Sequence, residues 1–533
     1  MKPIVAHRDR RKARRARRRL ALVHGGGKLG LLIACSLLSA CAVGPDFRVP
    51  APAVPAAFAT KSMPPTTTPQ GAATPVDVAQ WWHSLGDTQL DSLIDRALAG
   101  NLGLDIALAR LQQARSVEAA LTGYALPRID AGAGGGRGTG SDLSRSRTPG
   151  ALQSADHTLA GASRITSLAG GTAVWDLDLV GRLRRQIEAA HDDAQAALAA
   201  RDALQVALVA EVASDYIAFR SLQTQEQVLR QNLRAAQDAL DLVQSRFALG
   251  ITNALDLSLA QRQRASVRAA LAPLAAQREA TGDAIAVLLG MFPEDLRAEL
   301  AQPGLIPVVP ARVDAGQPLD LLRRRPDIRV AEWELAGATA RLGVATASLF
   351  PQISLSAGLG VQSEGLGYKP SGRQRIWSAG YSAVLPLLDF GTLDALVNIA
   401  DFQAHEDLIR YRQTVLYAVK DVDRSMGGFL AQQDRLSNLA DALRAAQAAT
   451  GLASERYDRG LSDYLNVVDA QRQEYELAGQ YAQAQGALAL AYVDLYRALG
   501  GGWERAGAVP AVAAPDPALI ALFRRLVFAH PAQ

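Results

Sequence analysis

The chain has 533 residues, 49% of them apolar and 20% charged, with a formal net charge of +4. So much apolar surface excludes a disordered chain, and two cysteines exclude both a disulfide framework and a cysteine-based zinc site. No run of eighteen consecutive apolar residues occurs, which leaves no candidate membrane-spanning helix. The positive charge is local. Residues 1–28 hold eleven Lys or Arg and one acid, Asp9, whereas from Cys41 onward 45 basic residues face 51 acidic ones. A nucleic-acid partner therefore loses its electrostatic basis.

Residues 1–40 read as a signal peptide. The cationic stretch precedes a ten-residue apolar run, Leu29 to Leu38, the right length for the hydrophobic core of a leader. Leu38-Ser39-Ala40-Cys41 resembles the lipobox of bacterial lipoproteins, which are cleaved before the cysteine and acylated on it; an ordinary small-residue cleavage site is the alternative. The cationic stretch is long for a leader. Either it is genuine, with a twin-arginine-like element at Arg18-Arg19, or translation starts near Val23. Ala42 follows the cysteine, and in the resembling lipoproteins a residue other than Asp there favours the outer membrane.

After a linker at 41–88 the chain repeats itself. Ser245–Gln263 (SRFALGITNALDLSLAQRQ) aligns without a gap on Glu455–Gln473 (ERYDRGLSDYLNVVDAQRQ), an offset of 210. The same offset pairs Leu233–Gln237 with Leu443–Gln447, Gly181 with Gly391, and Leu289-Gly290 with Leu499-Gly500. Upstream the offset becomes 224, matching Pro127 and Ile129 with Pro351 and Ile353. The halves run over 89–290 and 319–500, with a proline-rich segment at 291–318 between them and a tail at 501–533.

Each half begins with a predicted helix, 89–126 or 319–350, stopped by Pro127 or Pro351. Strictly alternating segments follow. Ile353, Leu355, Ala357, Leu359 and Val361 alternate with Ser354, Ser356, Gly358 and Gly360, and Trp377 to Leu387 repeats the pattern. In the first half Ala173, Trp175, Leu177 and Leu179 oppose Thr172, Asp176 and Asp178. Period two with a small polar face predicts barrel strands around a wet lumen, or else the strands of a soluble sandwich. Residues 181–247 and 391–457 lack proline and predict helices of roughly 100 Å. Gly250 and Gly460 suit the left-handed position that ends them, and Thr252 and Ser462 suit the N-caps of the return helices at 253–290 and 463–500. Pro273 should kink the first return helix; Gln483 takes its place in the second.

No catalytic chemistry is legible. The seven histidines show no metal-ligand spacing, and the Gly-rich Ala131–Gly140 opens no helix, so it reads as strand and loop. The expectation is a protein that is not an enzyme and carries no cofactor.

Four motifs in order resemble the outer-membrane efflux proteins, the TolC-like family, and its lipoprotein branch of resistance-nodulation-division systems. They are Cys41–Pro50 (CAVGPDFRVP), Gly86–Ile94 (GDTQLDSLI), Leu322–Glu332 (LRRRPDIRVAE) and Tyr457–Arg472 (YDRGLSDYLNVVDAQR). The resemblance implies a mainly α fold with a transmembrane β-barrel. Two strands per half and three chains would give a twelve-stranded barrel continued by a long α-helical barrel, with the linker, the inter-repeat segment and the tail forming a belt. It implies a passive channel of a tripartite efflux system in the outer membrane, partnered by a periplasmic adaptor protein, an inner-membrane pump and outer-membrane lipids. It also implies a periplasmic gate at the helical turns. There Tyr457 and Asp256 match the family's tyrosine and acid, Asn466 replaces an acid, Asp469 retains one, and Ser462 replaces a basic residue of some relatives. Packing and helix-dipole roles are the plainer reading of Tyr457, Asp256 and Asp469. The rival functions are an acylated coiled-coil spacer without a pore, which the alternating strands oppose, and a periplasmic adaptor, which the duplicated long helices oppose.

Overall fold

The computed structural model describes residues 42–51, 54–55, 57–59, 77–139, 163–310, 313, 318–366 and 371–504. The leader, Cys35 and Cys41 lie outside the described residues, as does the tail from 505 onward.

A 3-10 helix, Val78–Leu85, precedes α1 (Thr88–Gly100) and α2 (Leu102–Tyr124). Strands β1 (Arg128–Thr139) and β2 (Ser163–Leu177) follow, then the long α3 (Arg182–Ala248), α4 (Ala254–Ala269) and α5 (Leu271–Leu288). After α6 (Pro293–Leu300) the second half repeats the order. It comprises α7 (Pro318–Arg324), α8 (Pro326–Ala347), β3 (Gln352–Leu366), β4 (Ser371–Val384), α9 (Thr392–Asp458) and α10 (Tyr464–Ala498). None of the described helices is long and apolar enough to cross a membrane.

The chain divides into two units. The first, Met1–Val49, Ala114–Ala194 and Glu334–Leu408, contains the sheet. Its strands form an antiparallel meander in the order β1-β2-β3-β4, which leaves β1 and β4 as edges. The register aligns the predicted alternation of β2, β3 and β4 and extends it to β1. Ile129, Ala173, Ala357 and Ala379 share one row, and Trp175, Leu355 and Tyr381 share the next. This face is open: Trp377 and Tyr381 are each 81% exposed. The other face carries Asp130, Thr172, Gly358 and Ser378 in one row. The next row holds Gly132, Gly170 and Gly360, and Ile376 completes it. A Cβ on Gly170 would lie 2.4 Å from the Leu359 carbonyl oxygen and one on Gly360 2.8 Å from the Ala169 carbonyl oxygen, so backbone closes the middle of that row to side chains, whereas a Cβ on Gly132 would meet nothing within 4 Å. Strand β4 ends at Val384, so Leu385 and Leu387 lie beyond it.

The second unit, Pro50–Gln113, Gln195–Trp333 and Ile409–Gln533, packs around aromatic side chains. Trp81 stacks on Tyr496 with centroids 5.5 Å apart, and Tyr492 lies 4.8 Å from Tyr496. Leu90, Leu93 and Ile94 of α1 are fully buried, one apolar face at helical spacing. Buried Arg220 of α3 donates to the Tyr216 hydroxyl (3.1 Å) and to the Gln302 carbonyl (2.8 Å), while Tyr216 donates to Asp87, the N-cap of α1 (2.7 Å).

The first helix of each half differs from expectation: 89–126 and 319–350 are each broken. Asn101 ends α1, its side chain accepts from the Leu104 amide (3.1 Å), and its Nδ2 donates to the Leu288 carbonyl (2.8 Å). Arg325 precedes Pro326, whose ring disfavours helical backbone at the residue before it. The Arg325 guanidinium instead donates to Asp327 (2.6 Å) and to the Ala498 carbonyl (2.8 Å). Both breaks therefore satisfy an orphan carbonyl at the end of a return helix. The expected break at Pro273 is present: proline cannot donate to the Ala269 carbonyl, and α4 stops there, whereas α10 is continuous.

Candidate functional site at the helical turns

The α3–α4 and α9–α10 turns belong to the second unit and close with the same two backbone bonds. Gly250 (φ +70°) and Gly460 (φ +72°) are left-handed. Gly250 N–H donates to the Phe247 carbonyl and Ile251 N–H to Arg246, both at 2.9 Å. Gly460 donates to Tyr457 at 2.9 Å and Leu461 to Arg456 at 2.8 Å. This pair of bonds is the Schellman closure of a helix.

The N-caps fall one residue later than predicted. Asn253 caps α4, its side chain accepting from the Asp256 amide at 3.0 Å, and Asp463 stands at the cap of α10 without a side-chain bond. Asparagine and aspartate compete with threonine and serine for this role, and the three-residue link after each glycine places position 253 or 463 at the helix start. Thr252 is left to donate its hydroxyl to Asp256. Among the described residues the Ser462 hydroxyl is buried without a partner.

Tyr457 is gripped through its ring face. The Arg246 guanidinium lies 4.6 Å from the ring centroid and also pairs with Asp458 at 3.1 Å, so Arg246 ties the end of α3 to the end of α9. Tyr464 lies 5.3 Å from Tyr457 and is buried among Leu240, Val243, Ala260, Val467 and Val468. Burial, aided by Tyr457 and Asp256, pushes the Tyr464 hydroxyl up to about 12, so it stays protonated. Asp256 is half-buried, whereas Asn466 and Asp469 are exposed. Asp469 accepts from Arg472 at 2.9 Å and from Gln473 at 3.2 Å. The turns thus join Tyr457 to Arg246 and Tyr464. Within one chain Tyr457 makes ring-face contacts, and Asp256 bonds within its own turn.

The outer membrane efflux protein model matches residues 93–291 and 318–501, well over half of the chain. The chain belongs to that family. Its sequence is 30% identical over 485 residues to nodulation protein T of Rhizobium leguminosarum bv. viciae, covering 90% of this chain and 94% of that one. It is 30% identical over 479 residues to the antibiotic efflux pump outer membrane protein ArpC of Pseudomonas putida, covering 89% and 95%. The solved outer-membrane channel OprN superposes with a TM-score of 0.76 at 33% identity, over 87% of this chain and all of that one. This efflux channel is accordingly the outer-membrane component of a tripartite system and reaches into the periplasm; it is mainly α-helical with a small antiparallel sheet.

Proposed function

We propose that three copies of the chain close one channel, a lipoprotein anchored at Cys41, that passes drugs or toxic compounds from an inner-membrane pump and its periplasmic adaptor to the outside. The observation that carries this reading is the four-stranded sheet. It has two unpaired edges, β1 and β4, and one face of exposed Trp, Tyr and Leu. Such a sheet leaves rows of unsatisfied backbone groups at membrane depth unless β4 pairs with β1 of another copy. Three copies of four strands make an even-numbered twelve, as transmembrane barrels favour. On α9 the exposed Phe402, Ile409 and Leu416 recur every seven residues, the seam by which helices of different copies pack.

The reading is transport without catalysis. The spacer without a pore is disfavoured because it leaves the two-faced strands unexplained. At the periplasmic end Asp256, Tyr457, Asn466 and Asp469 would meet their counterparts around the axis, held by the turns at Gly250, Thr252, Gly460 and Ser462. The domain plan follows from this: a leader to 40, belt segments at 41–88 and 291–318, repeats at 89–290 and 319–500, and a tail. Light scattering of detergent-extracted protein should give the mass of a trimer, and that species should conduct ions in planar bilayers. A monomer that conducts would refute the closure.

A further inference from the structure

The transport reading gives residues 42–46 no role beyond the belt segment they begin, yet they are held by specific bonds within the first unit. Val43 N–H donates to the Val180 carbonyl at 3.0 Å, in the link between β2 and α3. Three glycines shape the passage. A Cβ on Gly44 (φ +99°) would stand 2.5 Å from the Cα of Gly343 in α8. One on Gly181 (φ +81°) would stand 2.8 Å from Ala42, and one on Gly343 would stand 3.0 Å from the Arg185 side chain. Arg185, in the first turn of α3, has a side chain only 4% exposed. Its guanidinium donates to Asp46 at 2.6 Å, to Glu188 at 2.8 Å, and to the carbonyls of Val43 and Gly44 at 3.4 Å each.

A buried guanidinium keeps its charge, so its donors must be filled. Three of these four acceptors belong to the N-terminal segment. We propose that Arg185 and Asp46 clip residues 42–46 into the link between sheet and helix, and that the clip fixes the standing point of the acylated Cys41. A flexible tether of n residues lets an anchor wander by roughly 5–6 Å times the square root of n. Here Ala42, the residue that follows Cys41 in the sequence, already lies against Gly181, so the tether would be a single residue. What the clip positions rests on the lipoprotein reading; the clip itself does not.

Arg48 is exposed and is the first trypsin site after Cys41, so cleavage there releases the peptide Cys41–Arg48. A protease must draw out the residues flanking the cut, which the clip opposes. In the intact, detergent-extracted protein, Asp46→Ala should speed cleavage at Arg48 at least tenfold, Asp46→Glu should speed it less, and cleavage at the distant exposed Arg459 should not change. Arg185→Lys, which keeps the charge and loses the fork, should act in the same direction as Asp46→Ala. Equal rates at Arg48 in the wild type and Asp46→Ala overturn the clip. Acceleration at Arg48 and Arg459 together also overturns it, making Asp46 a residue of global stability. The mass of the released peptide answers the other half: an unacylated Cys41–Arg48 overturns the anchoring role even where the rates behave as expected.

Discussion

At the scale of single residues, the contact between Arg246 and Tyr457 changes what a gate mutation should do. The hydroxyl of Tyr457 is not what α3 holds; the ring face is, through a cation–π contact worth about 0.5–1 kcal/mol at an exposed site. Tyr457→Phe should therefore leave resting single-channel conductance close to the wild type. Arg246→Ala, which also frees Asp458, should raise the open fraction about two- to tenfold in planar bilayers. The sequence pointed to Tyr457 but not to Arg246 or Tyr464, although each lies four residues from a turn glycine. An arginine in the last turn of a helix reads as a dipole partner, and only the folded turn lays it over an aromatic ring. A second residue, Asp192 of α3, is 6% exposed; burial first, then Glu188 and Asp193, push its carboxyl up to about 6, against His191 and Arg341. Its unfolded value is roughly 3.9. Between those values the native state binds more protons than the unfolded one, so this group's contribution to stability falls as pH rises through about 4 to 6. Asp192→Asn should raise the thermal midpoint at pH 8, by on the order of 1 kcal/mol of stability, and leave it unchanged at pH 4. Thermal scans at the two pH values check this.

At the scale of elements, the two turns separate conformational from steric demands on glycine. Around Gly460 a Cβ would meet nothing within 4 Å, so Gly460→Ala should cost only the left-handed backbone, about 1–2 kcal/mol. Gly290 (φ +72°) closes α5 in the same way, but a Cβ there would stand 2.3 Å from the Gly100 carbonyl oxygen. Gly290→Ala should be the more damaging of the two in thermal unfolding, and equal losses would mean the close approach is soft. Most elements were legible because their signals are local: alternation for β2 to β4, absence of proline for α3 and α9, and Pro273 for the break before α5. The breaks at Asn101 and Arg325 were missed despite Gly100-Asn101 and Arg325-Pro326 in the sequence. The apolar periodicity runs on across both, and what fixes them is a carbonyl some 180 residues away, Leu288 or Ala498. The N-caps were missed by one position because adjacent residues, Thr252-Asn253 and Ser462-Asp463, can each cap, and loop geometry alone decides.

At the scale of the whole molecule, the proposed trimer would bring three copies of Asp469 toward one axis, each accompanied by its own Arg472. An exposed pair of this kind is weak, so neither charge is cancelled outright. Arg472→Ala should raise cation selectivity and deepen block by divalent ions, and Asp469→Ala should do the reverse. Reversal potentials in asymmetric salt read both, and a shift in neither would place the constriction elsewhere. In the sheet, the row of Gly132, Gly170 and Gly360 puts bare main chain on the face opposite the aromatic one. Main chain carries the same amide at every position. A solute lying against these glycines meets no ring to stack on and no side-chain charge to match; the nearest charge on the face is Asp130, one row away. Gly170→Leu or Gly360→Leu would push β2 and β3 apart, because even a Cβ there meets the facing strand's backbone. In the proposed channel, uniform main chain at Gly170 and Gly360 would offer little by which to tell one cargo from another.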